Sequence, residues 1–155
     1  MYALKLYLAF SSEQQKSKAT ETRVEEAKKW NLFYPSYAMA VQSGELLGVS
    51  CLAMPYVASI PTSRRLDLLD KIERELARFA GMGYSYRETD LRWRHIGLRK
   101  DKNGNEIVIL VDLESMDHCG DGKLGKEDVS SALAQLRTRA QEEPVNAGQH
   151  FVHAV

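Results

Sequence analysis

The dipeptide Asn103-Gly104 constrains the fold of this chain more than any other feature. Asn-Gly is the strongest local signal for a β-hairpin, because both residues accept the positive φ angles of a tight two-residue turn. It lies in a turn-forming run, residues 101–106. A continuous apolar strand follows at residues 107–113, with the acid Asp112 at its end. A hairpin joins antiparallel strands, so the sequence predicts an α+β fold rather than alternating βαβ units.

The N-terminal third of the chain predicts one helix between strands. Residues 2–10 are aliphatic and aromatic and predict a buried strand. Residues 13–30 predict a largely solvated helix with Ser11 or Ser12 as its N-cap, which residues 31–35 should end. A second hairpin is predicted next, with strands at 37–42 and 46–54, a turn at Ser43-Gly44 and a stop at Pro55.

The clearest helical periodicity lies in residues 64–81. Its apolar positions, which predict one buried face, are Leu66, Leu69, Ile72, Leu76 and Phe79. Thr62 or Ser63 should cap this helix and Gly81 should end it. Residues 82–98 predict irregular structure, residues 127–143 a last helix, and residues 144–155 a flexible tail.

Composition narrows the class of protein. The 155 residues predict a single domain, and 21 basic residues balance 21 acidic ones. This neutrality argues against a dedicated nucleic-acid or membrane-surface protein, and no apolar run approaches the roughly 18 residues of a membrane span. The first ten residues lack the features of a signal peptide, and two cysteines cannot form a disulfide framework. We therefore expect a cytoplasmic protein.

A lysine stands on the first predicted strand, where Lys5 lies between Leu4 and Leu6. Burying its charge is costly unless the ammonium group is paired or meets an anion. The glutamates of the following helix are its natural partners, namely Glu21, Glu25 and Glu26.

Two aspartates are the candidate metal ligands. Asp112 ends the most apolar strand, and Asp90 lies in the loop that follows the amphipathic helix. The hairpin turn at Asn103-Gly104 would bring their two loops close together. Paired carboxylates of this kind suit a magnesium ion that carries a phosphate substrate.

The order of these residues resembles that of a protein kinase: a lysine on a strand, a glutamate on the next helix, an aspartate in a catalytic loop and an aspartate after a hairpin. Four strings carry the resemblance, namely ALKL at 3–6, LAMPYV at 52–57, ETDLRWRHIGL at 88–98 and IVILVDLE at 107–114. The resemblance implies a minimal kinase-like fold with a partial small lobe, residues 1–57, and a reduced helical large lobe, residues 58–143.

The resemblance also implies a role for each matching residue. The residues that it implies for nucleotide binding are Lys5, Glu25, the gatekeeper Met54 and the hinge residues Tyr56 and Val57. Asp90 takes the position of the catalytic base, and Arg92 stands in place of the lysine two residues on. Asp112 is the metal-binding aspartate, and His95 stands where kinases have the asparagine of the second metal. The implied cofactors are ATP and Mg²⁺.

The departures from the kinase pattern favour an inactive protein. The Gly-rich loop that covers the phosphates and the activation segment are both missing, and imidazole is a poor magnesium ligand. The resemblance therefore implies a pseudokinase that binds a protein partner, such as a kinase or signalling protein, and keeps residual Mg-ATP binding. The pair Arg92-Trp93 is also similar to the divergent kinase-like domains of fungal and oomycete origin. The alternatives are a small interaction module without nucleotide binding and an active ATP-dependent phosphotransferase.

Two further segments carry weaker signals. Residues 117–128 partly match a calcium-binding EF-hand loop, although Cys119 occupies the third position and Asp128 the twelfth. Residues 92–100 form a basic stretch around Trp93 that suits phosphodiester binding, but the neutral chain argues against nucleic acid.

Overall fold

The computed structural model describes residues 2–8, 12–36, 42–86, 91–119, 126–142 and 151–152. In chain order its elements are β1 (Tyr2–Tyr7), α1 (Glu13–Phe33), β2 (Gln42–Leu46), β3 (Val49–Pro55), β4 (Ala58–Ser59), α2 (Leu69–Gly81), β5 (Tyr84–Tyr86), β6 (Ile96–Lys100), β7 (Glu106–Leu110), β8 (Met116–His118), α3 (Lys126–Thr138) and β9 (Phe151–Val152). Every strand pair is antiparallel, so the predicted α+β class is confirmed.

The chain divides into two compact units. The first unit comprises Met1–Tyr56 together with Asn146–Val155, and the second comprises Val57–Val145. The first unit has one sheet and the second has two, β4-β6-β7 and β5-β8, and each unit is described by itself below.

The first unit is a four-stranded antiparallel sheet in the order β2-β3-β1-β9. Strand alternation turns Ala3, Lys5 and Tyr7 of β1 to the buried side. Helix α1 lies against the sheet, where the Thr20 hydroxyl is 3.0 Å from that of Ser50. Its N-cap is Ser12, as predicted, and the Ser12 side chain accepts a hydrogen bond from the backbone N–H of Gln15.

Three details of the first unit differ from the prediction. Helix α1 continues to Phe33, because Trp30 and Phe33 are buried and packing favours one more turn. The hairpin turn lies at Leu47-Gly48 and not at Ser43-Gly44, since both Leu47 and Gly48 have positive φ angles, 51° and 77°. The segment predicted to be a flexible tail, residues 144–155, contains β9, which pairs with β1. Residues 37–41 of the predicted first hairpin strand lie outside the described part of the chain.

The Asn-Gly hairpin is confirmed in the second unit. Strands β6 and β7 pair antiparallel, but residues 101–105 join them in place of a two-residue turn, and Gly104 has a positive φ angle, 82°, whereas Asn103 does not. Strand β4 adds to β6 at Gly97, where a Cβ atom would lie 2.7 Å from the Ala58 carbonyl oxygen and overlap the Val57 side chain. Glycine is therefore required at Gly97.

Helix α2 begins later than predicted. Residues 62–64 and 66–68 form two short 3₁₀ turns, so neither Thr62 nor Ser63 caps the α-helix. The predicted buried face is confirmed at four positions, Leu69, Ile72, Leu76 and Phe79. Leu66, however, is 51% exposed because it lies in the second 3₁₀ turn, where the 3.6-residue period does not apply.

Helix α3 ends at Thr138 and not at residue 143. The buried guanidinium of Arg65 donates hydrogen bonds to the carbonyl oxygens of Ala140, at 3.0 Å, and Glu142, at 2.7 Å, which turns these carbonyls away from a helical ladder. The segment 82–98, predicted to be irregular, holds the short strand β5, which pairs with β8, and the first three residues of β6. Across the described residues, no helix is both long and apolar enough to span a membrane.

Candidate functional site

The candidate site in the first unit is a buried ion pair. The ammonium nitrogen of Lys5 lies 2.8 Å from Glu26 Oε2, with Lys5 8% exposed and Glu26 fully buried. Lys5 belongs to β1, one of the two inner strands of the sheet, and Glu26 to the face of α1 that covers it. A charge so far from water is tolerated only with a partner of opposite sign.

Of the three glutamates predicted as partners of Lys5, the structure pairs it with Glu26, which confirms one of the alternatives; Glu25, to which the resemblance gave this role, is not the partner. Glu25 is exposed and pairs with Lys28 one turn along the same helix, at 2.6 Å. Neighbouring helical residues point about 100° apart, because an α-helix has 3.6 residues per turn. The spacing from Trp30 and Phe33, which mark the buried face, is the sequence signal that identifies Glu26.

A tyrosine that sequence reasoning missed completes this cluster. The hydroxyl of Tyr7 donates a hydrogen bond of 2.5 Å to Glu26 Oε2, the oxygen that also contacts Lys5. The Lys5 ammonium nitrogen lies 5.4 Å from the centre of the Tyr7 ring. Tyr7 could have been found from its position two residues after Lys5, because alternate strand residues share one face.

The other residues predicted to bind nucleotide lie near the end of β3. Met54 is buried within the core of the first unit, in agreement with a packing role. Tyr56 and Val57 are half-buried and follow the last residue of the strand. Their predicted part in nucleotide binding stays a prediction.

The candidate site in the second unit is built around Asp112. Strand β7 ends at Leu110, and Asp112 adopts a left-handed conformation with a φ angle of 58° before a 3₁₀ turn at Leu113–Ser115. One oxygen of Asp112 accepts a hydrogen bond of 3.3 Å from the Ser115 hydroxyl. Carboxylate oxygens of Asp112 and Glu114 lie within 4.8 Å of each other, and both residues are half-buried. Two hard oxygen ligands at this separation are of the kind that magnesium prefers.

His95 is buried next to Asp112. Its Nε2 atom lies 3.6 Å from Asp112 Oδ2, and its ring stacks on Tyr86 with an angle of 7° between the two planes. The Nδ1 atom faces the backbone N–H of Arg92 at 3.3 Å, and Nε2 faces Arg94 Nε at 3.0 Å. A neutral imidazole has one acceptor nitrogen, so it accepts one of these two hydrogen bonds. His95 therefore lies beside the Asp112 carboxylate, at a distance longer than a hydrogen bond.

The predicted catalytic loop is described in part. Asp90 lies outside the described residues, whereas Arg92 is half-buried and precedes the 3₁₀ turn Trp93–His95. Residues 120–125 of the partial EF-hand match also lie outside the described part.

The basic stretch 92–100 does not form an aromatic surface for nucleic acid. Trp93 is buried, and its indole N–H donates to the Leu136 carbonyl oxygen at 2.9 Å. The following residues Ile96, Gly97 and Leu98 are buried in β6. The ring of Trp93 is therefore not available to stack on a base.

Comparison with known proteins gives a family and nothing beyond it. No curated protein matches the chain significantly, and neither does any solved structure. Residues 4–99 match a family of unknown function (DUF5898), and this segment contains the Lys5–Glu26 pair and His95. Since the match spans more than half of the chain, the protein belongs to this family of unknown function.

Proposed function

We propose that the chain is a degenerate kinase-like protein that acts by binding a protein partner and that keeps the capacity to bind ATP with Mg²⁺. The observation that carries the proposal is the buried pair of Lys5 and Glu26. Apolar residues in place of a buried ion pair are often neutral or stabilising, so stability alone gives little reason for such a pair. A role in binding an anion is a reason for a protein to have such a pair.

The chemistry of Lys5 suits a phosphate group. An ammonium group has three N–H donors in a tetrahedral arrangement. In protein kinases, which this chain resembles, the lysine on the corresponding strand contacts the phosphates of the bound nucleotide. Glu26 holds the ammonium group on the buried side of β1, where lower polarity strengthens its attraction for phosphate oxygens.

In the second unit, the carboxylates of Asp112 and Glu114 are suitable ligands for a magnesium ion. His95 occupies the position of the kinase asparagine, and imidazole is a poor ligand for magnesium. This replacement supports a protein that binds nucleotide without transferring its phosphoryl group. A cytoplasmic location goes with the proposal, because both Cys51 and Cys119 are free thiols.

The test is a titration of the full chain with Mg-ATP, followed by calorimetry and by melting temperature. A ligand that binds only the folded state must raise the melting temperature. We expect Lys5→Met to weaken binding and Asp112→Asn to remove its magnesium dependence. Lys18→Met, which removes an exposed lysine of α1, is the matched control and should bind as the wild type does. No binding at millimolar Mg-ATP would overturn the nucleotide part of the proposal.

A second candidate, a protein-interaction module without nucleotide, is favoured by a different observation. Leu47 is 97% exposed at the tip of the β2–β3 hairpin, and its neighbour Leu46 is half exposed. An exposed pair of leucines suits insertion into an apolar pocket of a partner protein. Absence of any Mg-ATP effect on melting temperature would favour this candidate, whereas Lys5-dependent release of ADP would favour an active phosphotransferase.

A further inference from the structure

The hydroxyl of Tyr7 and the ammonium group of Lys5 meet at one atom, Glu26 Oε2. Tyr7 and Lys5 are two residues apart on β1, and both are buried on the face that α1 covers. A carboxylate oxygen has two lone pairs, so it accepts both hydrogen bonds at once. The three side chains therefore form one connected cluster inside the first unit.

The two donors differ in how firmly they are held. The Tyr7 ring is rigid and turns about two bonds, whereas the Lys5 side chain has four rotatable bonds and a point charge at its end. A short hydrogen bond from Tyr7 therefore fixes where Oε2 lies, and Lys5 adapts to that position. By neutralising part of the charge on Oε2, the tyrosine also weakens the attraction between the carboxylate and the ammonium group.

We propose that Tyr7 is a positioning residue, which fixes the Glu26 carboxylate and thereby leaves Lys5 oriented for a phosphate group of the nucleotide. The proposal rests on the function proposed above. Without the tyrosine hydroxyl, the carboxylate draws the ammonium group more strongly to itself, and a phosphate competes for Lys5 less effectively.

The experiment compares Tyr7→Phe with Tyr2→Phe in the full chain. Tyr2 is the matched control, because it lies on the same strand but is 54% exposed on the opposite face. The first readout needs no nucleotide: the ¹H–¹⁵N NMR signal of the Lys5 ammonium group should shift in Tyr7→Phe and stay unchanged in Tyr2→Phe. An unchanged Lys5 signal in Tyr7→Phe would overturn the proposal.

The second readout is the affinity for Mg-ATP, measured by calorimetry in a double-mutant cycle with Lys5→Met. We expect Tyr7→Phe to lower the affinity about tenfold, the effect of one hydrogen bond to a charged group, and to have no further effect when Lys5 is already methionine. An equal loss in both backgrounds would make the role of Tyr7 structural and overturn the proposal.

The two readouts also separate this proposal from the function on which it rests. If the wild type binds no Mg-ATP, the proposed function fails, and the orientation of Lys5 toward a phosphate fails with it. A shifted Lys5 signal in Tyr7→Phe would then show that Tyr7 positions the Lys5–Glu26 pair, but that this pair does not serve nucleotide binding.

Discussion

Lys5 and Glu26 lie on consecutive elements of the chain, and their side chains meet at 2.8 Å in a place where Glu26 has no contact with solvent. The pair links β1, an inner strand of the first sheet, to the helix that covers it. Loss of one partner therefore affects the packing of the whole unit as well as any ligand that the lysine binds.

Lys5→Met should lower the free energy of unfolding by about 3–5 kcal/mol, because it leaves the Glu26 carboxylate buried without its cation. Denaturant unfolding at neutral pH measures this loss. The double variant Lys5→Met with Glu26→Leu should recover much of the loss, since neither charge of this pair is then buried. Glu25→Gln is the control, and we expect a change within about 0.5 kcal/mol for this exposed residue. A small loss in Lys5→Met would mean that water reaches Glu26.

Leu76→Ala should cost about 2–5 kcal/mol of unfolding free energy, because it opens a cavity on the buried face of α2. Leu66→Ala is the matched control, since Leu66 is half exposed and should change stability by about 0.5 kcal/mol or less. Thermal unfolding of both variants tests which leucines form the core of the second unit. Equal losses would contradict the burial of Leu76.

Asp112→Asn should leave stability within about 0.5 kcal/mol of the wild type, because asparagine also tolerates the left-handed conformation of this residue. Asp112→Ala should lose about 1 kcal/mol or more, since alanine is strained there. Both variants should lose the magnesium dependence of nucleotide binding. A large loss in Asp112→Asn with magnesium dependence intact would make Asp112 a structural acid.

The carboxyl group of Glu106 should titrate below its usual range. A bidentate hydrogen bond from Arg64, at 2.9 and 2.6 Å, lowers the pKa of Glu106 from its ordinary value of 4.5, and the charge of Arg64 adds to this effect. The pair therefore contributes stability above pH 4.5, and this contribution is lost as the pH falls through the lower pKa of the folded state.

The pKa of Glu106 can be measured directly by ¹³C NMR of its carboxyl group. Arg64→Met should raise this pKa toward 4.5 and make the stability of the protein less dependent on pH in the acid range. An unchanged pKa in Arg64→Met would show that Arg64 does not hold this carboxylate in solution.

Leu47→Asn should raise the free energy of unfolding by about 0.5–1 kcal/mol, because asparagine suits a turn position with positive φ. It also removes an apolar side chain that is almost fully exposed. If the hairpin tip binds a partner, the same variant should bind that partner more weakly while being more stable. A loss of stability on substitution would show that Leu47 makes contacts within the fold.

The features that the sequence predicted correctly depend on local patterns. The hairpin around Asn103-Gly104 and the buried face of α2 each follow from a few neighbouring residues; the hairpin is confirmed, and so are four of the five predicted buried positions. The turn at Leu47-Gly48 was missed because Gly44 and Gly48 are both plausible turn residues, and only strand pairing distinguishes them. Pairing of Gly44 with Cys51 keeps Gly44 inside β2.

The candidate site could be predicted less completely than the fold. A lysine paired with a glutamate of the next helix was expected, but a shift of one residue on a helix separates Glu26 from Glu25. The contact of Tyr7 with Glu26 depends on how α1 crosses the sheet, which no local pattern specifies. The left-handed conformation of Asp112 was missed because the predicted strand extends to Leu113, whereas strand β7 ends at Leu110.

Strand β1 has one neighbour from early in the chain and another from its far end. It pairs with β3, about 50 residues away, and with Phe151–Val152, which is synthesised after the whole second unit. A contact of such long sequence separation closes a large loop and forms late in folding. On the ribosome, residues 57–145 can therefore become compact before the first sheet acquires its last strand. Until then the edge of β1 that β9 covers is an open strand edge, the part of a sheet most prone to pair with another chain.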